Sequence, residues 1–142
     1  MGDLKPTYQV DGGDLVQAGE ASSQMKMTLK KLGLPPEIIR KASVCMYEGE
    51  INMVIHADGG RVEVEVGMDA ITIRLIDQGP GIPDVDRAME EGYSTAGDVA
   101  RDLGFGAGMG LPNMKRYSDE MRIDTTVGVG TTVTMRIDIN NG

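Results

Sequence analysis

Cysteine is nearly absent from this sequence, since Cys45 is the only one among 142 residues. One cysteine excludes a framework of intramolecular disulfides. No apolar run approaches the roughly 20 residues needed to span a bilayer. No stretch combines a charged start, an apolar run and a small-residue cleavage site. We therefore expect a protein of the reducing cytoplasm that has no membrane-spanning segment.

Positive charge is also scarce. The chain carries 14 lysines and arginines against 22 aspartates and glutamates, which gives a net charge of -8. This balance argues against general binding to nucleic acid or to an anionic membrane, because their phosphates would be repelled. A polyphosphate ligand would therefore need a divalent cation. At 15.2 kDa, we expect residues 1–142 to form one domain whose core needs no disulfide or metal.

Hydrophobic periodicity and turn residues predict the order β-α-α-β-β-α-loop-α-β-β. The first strand is "TYQV". A helix follows in "DLVQAGEASSQMKMTLKKLG", with Asp11 or Asp14 as its cap and Gly33 as its stop. The second helix is "PPEIIRKASVCMYEGEINMVIHA", whose prolines suit a first turn. A turn at Gly59-Gly60 then leads to a hairpin of "RVEVEVG" and "AITIRLID".

The second half of the chain begins with a short helix in "PDVDRAMEEG". The stretch from Tyr93 to Gly110 is rich in small residues and reads as a mobile loop. A helix in "GLPNMKRYSDE" and a hairpin of "MRIDTTV" and "TTVTMRIDI" complete the chain. Adjacent hairpin strands with helices between the pairs predict an α+β fold, a two-layer sandwich whose antiparallel or mixed sheet has helices on one face.

A polar stripe interrupts the second helix. Glu48, Asn52 and His56 are spaced four residues apart and therefore share one helical face. Asn52 offers an oxygen that suits Mg²⁺, and Glu48 can accept a proton. A solvated helix edge is the simpler explanation of such a pair, and we assign His56 a structural role. Gly49, which costs about 1 kcal/mol relative to alanine within a helix, predicts close packing of the sheet or a ligand.

Two glycine-rich stretches follow. In "DQGPGIPD", Asp77 ends a strand and can accept from an exocyclic amino group, while glycines let a flat base approach the backbone. A polar turn is the alternative. In "LGFGAGMGL", glycines precede a helix whose exposed amides can bind phosphate; a flexible linker is the alternative. The stretch fits neither the dinucleotide fingerprint nor a P-loop.

Together, the three stretches resemble the N, G1 and G2 boxes of the GHKL superfamily of ATPases. Within it, "DQGPGIPDVDRAMEEGYSTAG" followed by "GMGLPNMKRYSDEM" is similar to the small serine/threonine kinases of bacterial partner-switching systems, those of the RsbT, RsbW and SpoIIAB type. The stretch "VGVGTTVTM" matches their closing strand. The resemblance implies a Bergerat fold that binds Mg-ATP under a mobile lid, here at about residues 93–107.

The resemblance also implies residue roles. Glu48 would be the general base, Asn52 the Mg²⁺ ligand and Asp77 the adenine partner. Further nucleotide contacts would come from Gly79, Gly81, Ile82, Gly104, Gly106, Gly108, Met109, Gly110, Leu111 and Thr131. Sigma-binding members often have a basic residue where this chain has Phe105 and Gly106, which favours the switch-kinase branch. Glu50 is a second carboxylate in the N box, but at roughly 200° around the helix from Glu48 it should point elsewhere.

The function that the resemblance implies is phosphoryl transfer from Mg-ATP to a serine or threonine of a STAS-domain anti-anti-sigma or scaffold protein. An alternative is an ATP-gated binding switch with little or no kinase activity, whose partner is a sigma factor or a regulatory phosphatase. A detached histidine-kinase catalytic domain is a third hypothesis, but a dimerisation helix with a phosphorylatable histidine is missing. Homodimerisation is possible in this family.

Overall fold

The computed structural model describes residues 5–11, 19–56, 59–77 and 110–139. The elements within these ranges are strand β1 (Thr7–Asp11), helices α1 (Glu20–Lys31) and α2 (Pro36–His56), strands β2 (Gly59–Val66) and β3 (Ala70–Asp77), helix α3 (Gly110–Tyr117), and strands β4 (Glu120–Thr126) and β5 (Gly130–Asp138). The predicted helix "PDVDRAMEEG" and the predicted lid at 93–107 lie outside the described residues. Elsewhere the order of elements agrees with the prediction.

The five strands pair in the order β1-β2-β3-β5-β4, and every pairing is antiparallel. Strands β2 and β3 form one predicted hairpin, and β4 and β5 form the other. The two hairpins form one sheet because β5 pairs with β3. The last strand in the chain, β5, therefore lies inside the sheet, and β1 and β4 form its edges. The predicted α+β fold is confirmed.

The two faces of the sheet differ as the alternating pattern predicts. On β3, Ile71, Ile73 and Leu75 are buried beneath the helices. The opposite face carries charged side chains in ion pairs, such as Arg74–Glu65 at 3.7 Å and an Arg136 contact with Glu120 at 3.1 Å. Exposed pairs of this kind contribute at most about 1 kcal/mol each. The helices therefore cover one face, where burial of apolar side chains stabilises the fold.

The start of helix α1 differs from the prediction. Gly19 occupies its N-cap position in a left-handed conformation with φ 97°, and no side chain of its own segment caps the helix. The predicted cap at Asp11 is wrong, because Asp11 ends β1, and the alternative cap, Asp14, lies outside the described residues. The predicted stop is confirmed, since Gly33 follows the helix with φ 76°, a conformation that glycine adopts at low cost.

The predicted turn at Gly59-Gly60 is also wrong, because both residues belong to β2. Gly60 pairs with Val10 on one side and with Asp77 on the other. A Cβ atom here would meet the Ile76 carbonyl oxygen and would lie 2.6 Å from Cε of Met53. Glycine is needed because helix α2 and strand β3 both approach this position closely.

Gly49 has the role that its position predicted. A Cβ atom at this residue would lie 2.7 Å from Cδ2 of Leu75, which is buried on the helix-facing side of β3. The backbone of helix α2 thus packs directly on the Leu75 side chain of β3 at this point. Within the described ranges, no helix is both long enough and apolar enough to cross a membrane.

Candidate functional site

Glu48 and Asn52 lie one turn apart on α2, and both are partly exposed. The residues that follow them, Gly49 and Met53, contact the sheet at Leu75 and Gly60. Successive helical residues are about 100° apart. Glu48 and Asn52 therefore lie along the border where α2 leaves the sheet, beside the face that contacts it.

Glu50 points away from this stripe, as predicted. Its side chain is 3 % exposed. The carboxylate accepts hydrogen bonds from the backbone amides of Gly19, Ala21 and Ser22 at 2.9, 3.2 and 3.0 Å, and from the Ser22 hydroxyl at 2.7 Å. It thereby satisfies the free amides at the start of α1 and complements the positive end of that helix. Glu50 replaces the missing local cap.

Helix α3 packs against α2 in the antiparallel direction. The Cys45 thiol donates to the Met114 carbonyl oxygen over 3.7 Å, and the Arg40 guanidinium lies 5.6 Å from the centre of the Tyr117 ring. Moving toward the start of α3 therefore means moving toward the end of α2. The first turn of α3, which contains no acidic residue, consequently lies at the level of the polar stripe.

The environment of Glu48 differs from that of a surface glutamate. Partial burial raises the pKa of its carboxyl group, and a hydrogen bond from the Asn113 side chain acts in the opposite direction. Burial also raises the pKa of the neighbouring Cys45 thiol to about 12, with smaller contributions from the charges of Asp119 and Glu48. The thiol is therefore unreactive at neutral pH, whereas the Glu48 carboxylate is more basic than that of an exposed glutamate.

A second part of the site lies at the end of β3. Gly60, Asp77, Thr131 and Thr125 occupy directly opposed positions on four neighbouring strands. Directly opposed residues share one face of a sheet, and the burial of Thr131 identifies this face as the one under the helices. The hydroxyl oxygens of Thr131 and Thr125 are 2.9 Å apart. This row presents a carboxylate and a hydroxyl beside a glycine.

The described residues bring several of the predicted positions to one end of the molecule. Glu48 and Asn52 lie on α2, Gly110 and Leu111 begin α3, and the row of Asp77 and Thr131 ends the sheet. Leu111 is buried in the core, so its side chain has a packing role. The remaining predicted contacts lie outside the described residues: Gly79, Gly81, Ile82, Gly104, Gly106, Gly108 and Met109.

Sequence reasoning missed three residues that adjoin this arrangement. The Asn113 side chain lowers the pKa of Glu48, Gly60 lies beside Asp77, and Thr125 contacts the Thr131 hydroxyl. Gly60 carried a signal, because two adjacent glycines before an alternating strand also suit a close approach. Asn113 carried none, because α3 meets α2 only in the tertiary structure, and the predicted β4–β5 hairpin did not by itself identify Thr125 as the residue opposite Thr131.

Comparison with known proteins identifies the family. Residues 44–141 match the family described as histidine kinase-, DNA gyrase B-, and HSP90-like ATPase. The chain is 33% identical over 108 residues to serine/threonine-protein kinase RsbT of Bacillus subtilis, which covers 73% of this chain and 75% of that protein. It is 31% identical over 129 residues to an anti-sigma F factor of Clostridium beijerinckii, which covers 85% of this chain and 87% of that protein.

A third relative, an anti-sigma F factor of Caldanaerobacter subterraneus, is 33% identical over 104 residues, or 70% of this chain and 69% of its own length. These matches confirm the predicted superfamily and the prediction of an ATP-dependent enzyme. They also agree with the observed two-layer fold. The chain belongs to the histidine kinase-, DNA gyrase B- and HSP90-like ATPase family.

Proposed function

We propose that this protein transfers a phosphoryl group from Mg-ATP to a serine or threonine hydroxyl of a STAS-domain regulatory protein in a bacterial partner-switching system. The observation that carries this proposal is the placement of Glu48. It is a partly buried carboxylate of raised pKa, it shares a helical face with Asn52, and it lies at the level of the first turn of α3. The names of the relatives support a kinase or an anti-sigma role.

The row at the end of β3 suits an adenine base. The Asp77 carboxylate is an acceptor only and can receive a hydrogen bond from the exocyclic amino group, while the Thr131 hydroxyl can donate or accept. Gly60, next to Asp77, adds no side chain beside the base. Guanine would present a carbonyl oxygen to the carboxylate, so the site favours ATP over GTP.

The phosphates suit the start of α3. Its first turn contains no acidic residue, and free amides together with the helix dipole attract anions there. Among the described residues, no group of three or more His, Cys, Asp or Glu could hold a metal ion. Mg²⁺ does not require such a group, because it usually keeps several waters and binds through phosphates and one or two protein oxygens. The Asn52 side-chain oxygen is suited to be one of them.

When bound, Mg-ATP supplies the phosphoryl group, and the metal charge offsets the negative charge of the phosphates. The protein contributes position and a proton acceptor. Glu48 accepts the proton of the substrate hydroxyl as the hydroxyl oxygen bonds to the γ-phosphorus and the bond from that phosphorus to the bridging oxygen breaks, so that ADP leaves. Partial burial makes this carboxylate a better base at neutral pH than an exposed glutamate. Asn52, one turn away, would supply a protein oxygen to the metal and so hold the phosphate end of the nucleotide.

A second candidate function is an ATP-gated binding switch that holds a sigma factor or a regulatory phosphatase and catalyses little or no transfer. The observation that favours it is the similarity over 85% of the chain to a protein named as an anti-sigma factor. Binding and transfer can share one nucleotide site, so the two functions differ in outcome rather than in architecture.

The experiment that separates them uses the purified protein with γ-labelled ATP, first with lysate of the source organism and then with each STAS-domain protein of that organism. Labelled phosphoserine or phosphothreonine in a STAS-domain protein is expected, with ATP used in preference to GTP. The Asn52→Ala variant should lose nucleotide affinity mainly when Mg²⁺ is present. Transfer to none of these proteins, together with partner affinity that depends on ATP, would establish the binding switch instead.

A further inference from the structure

Strand β4 forms one edge of the sheet. It pairs with β5 on one side, from Glu120 opposite Arg136 to Thr126 opposite Gly130, and no described strand pairs with its other side. An edge strand presents backbone N–H and C=O groups that can pair with a further strand, unless proline or an inward-facing charge prevents it. The strand contains neither proline nor glycine, and its helix-facing positions carry no charge. This edge is therefore able to accept another strand.

The side chains of β4 alternate between two faces. Met121 and Ile123 point toward the helix layer, where each is only partly buried against the core. A further strand with apolar side chains on the same face would cover them and gain from their burial. On the opposite face, Arg122 and Asp124 form an ion pair at 3.0 Å, with side chains that are 77% and 54% exposed. An occupant of this edge must therefore match apolar side chains on one face and alternating charges on the other.

The sequence of β4 is complementary to itself in one antiparallel register. In a two-fold symmetric pair of strands, one residue lies opposite its own copy, and residues equally distant from it on either side face each other. With Ile123 at this centre, the whole of Glu120–Thr126 is paired. Arg122 then lies opposite Asp124 of the partner subunit, and Asp124 lies opposite Arg122 of the partner subunit. Both faces of the edge are matched.

The other symmetric registers are poorer. A centre at Arg122 places this residue opposite its own copy and Glu120 opposite Asp124, and a centre at Asp124 places two aspartates together. Like charges that are directly opposite destabilise a pair of strands. A centre at Met121 avoids this repulsion but pairs only the start of the strand. The register centred on Ile123 alone combines full overlap with opposite charges.

We propose that a second copy of this chain docks on β4 in the register centred on Ile123, so that the two five-stranded sheets form one continuous sheet. The two helix layers then lie on the same face, and Ile123 contacts Ile123 of the partner subunit beneath them. On the other face, the arginines and aspartates of the two copies alternate. Arg122, Ile123 and Asp124 lie outside the proposed nucleotide site, so the pairing does not depend on the proposed kinase function.

The first test is charge reversal, with molar mass measured by sedimentation equilibrium over a range of protein concentrations. Arg122→Asp and Asp124→Arg each place like charges opposite one another twice in the symmetric dimer. Each should therefore raise the dissociation constant of the dimer by about 10-fold or more. A mixture of the two variants should form heterodimers, because each supplies the charge that the other needs. The variant with both substitutions should dimerise like the wild type.

A matched control lies on an interior strand. Arg61 and Glu63 on β2 form an ion pair with the same spacing at 3.2 Å, and β2 has β1 and β3 on its two sides. Arg61→Asp and Glu63→Arg should therefore leave the dissociation constant of the dimer unchanged, separately and when mixed. Circular dichroism and Mg-ATP affinity, measured for every variant, show that each is folded.

The second test does not depend on charge. Ile123→Cys places a thiol opposite its own copy, at a separation that a disulfide can span, whereas the native Cys45 is buried. Oxidation by copper phenanthroline should therefore give a covalent dimer. Gln9→Cys, in the middle of the other edge strand, should stay monomeric in denaturing electrophoresis. A wild type that is monomeric at every concentration, a dimer that all charge variants retain, or cross-linking of Gln9→Cys alone would overturn the β4 interface.

Discussion

Glu48 and Glu50 are two carboxylates of the same helix, separated by one residue, and their surroundings differ completely. Glu50 is buried and accepts hydrogen bonds from three backbone amides and one hydroxyl at the start of α1. Glu48 is partly exposed at the level of the first turn of α3, and its pKa is raised by burial against the effect of one amide partner. Each carboxylate therefore faces the positive end of a different helix.

The two carboxylates differ in how many hydrogen-bond donors the protein provides to them. Four donors leave Glu50 little capacity to accept anything else, so its carboxylate holds α1 to α2. Glu48 keeps accepting capacity and an exposed edge, as a proton acceptor requires. Two carboxylates of one motif are thus distinguished by their donors rather than by their spacing.

The largest effect concerns catalysis. Glu48→Gln keeps the size of the side chain but removes the base, so phosphotransfer should fall by about 10²-fold or more while Mg-ATP binding persists. Glu50→Gln should transfer at a rate close to wild type per folded molecule. The comparison is made by measuring the rate of single-turnover phosphotransfer to the partner and normalising it to the folded fraction of each variant. If Glu50→Gln were inactive and Glu48→Gln active, Glu50 would be the base and Glu48 would have the structural role.

The next effect concerns stability. Glu50→Gln replaces one acceptor oxygen by an NH₂ group that faces backbone donors, and it removes the charge at the start of α1. The free energy of unfolding should fall by about 2–4 kcal/mol. Urea denaturation followed by circular dichroism measures it. Glu20→Gln, which alters an exposed glutamate in the first turn of the same helix, is the control and should cost under about 1 kcal/mol.

A smaller effect is expected at Gly49, which separates the two glutamates and faces the sheet. Gly49→Ala should overlap the buried Leu75 side chain, at a cost of about 1–3 kcal/mol that the higher helix propensity of alanine offsets by about 1 kcal/mol. Leu75→Val removes part of the overlap. Denaturation of the two single variants and the double variant should therefore show a favourable coupling energy. Additive costs would mean that the contact does not limit how closely α2 approaches β3.

The smallest effect is a pH dependence of stability. Because the pKa of Glu48 is raised above its usual value of 4.5 in the folded protein, its contribution to stability is present below that value and is lost as pH rises through the folded pKa. Glu48→Gln without nucleotide should therefore gain stability relative to wild type toward neutral pH. The gain should stay under about 1 kcal/mol, since solvent screens a partly exposed group. If the difference in unfolding free energy between the wild type and Glu48→Gln stayed the same at every pH, the raised pKa of Glu48 would be contradicted.

Structural features that depend on the sequence of a single helix or strand were predicted well. The pattern of β2 and β3 predicted two hairpin strands, which the structure confirms, and the mid-helix Gly49 predicted a close approach that Leu75 makes. The angular separation of Glu48 and Glu50 predicted that they face different surroundings. The prediction of Asp11 as the cap of α1 was wrong because the carboxylate that accepts from the first amides of this helix belongs to Glu50 on the next helix.

By itself, the sequence determined the order of the elements within the described ranges, the faces of the strands and the polar stripe on α2, because side-chain direction follows from the period of each element. Only the tertiary structure decided that β5 lies between β3 and β4, that Gly60 adjoins Asp77, and that α3 packs against α2. These contacts join residues far apart in the chain. They depend on how elements pack together, and periodicity within one element carries no information about its neighbour.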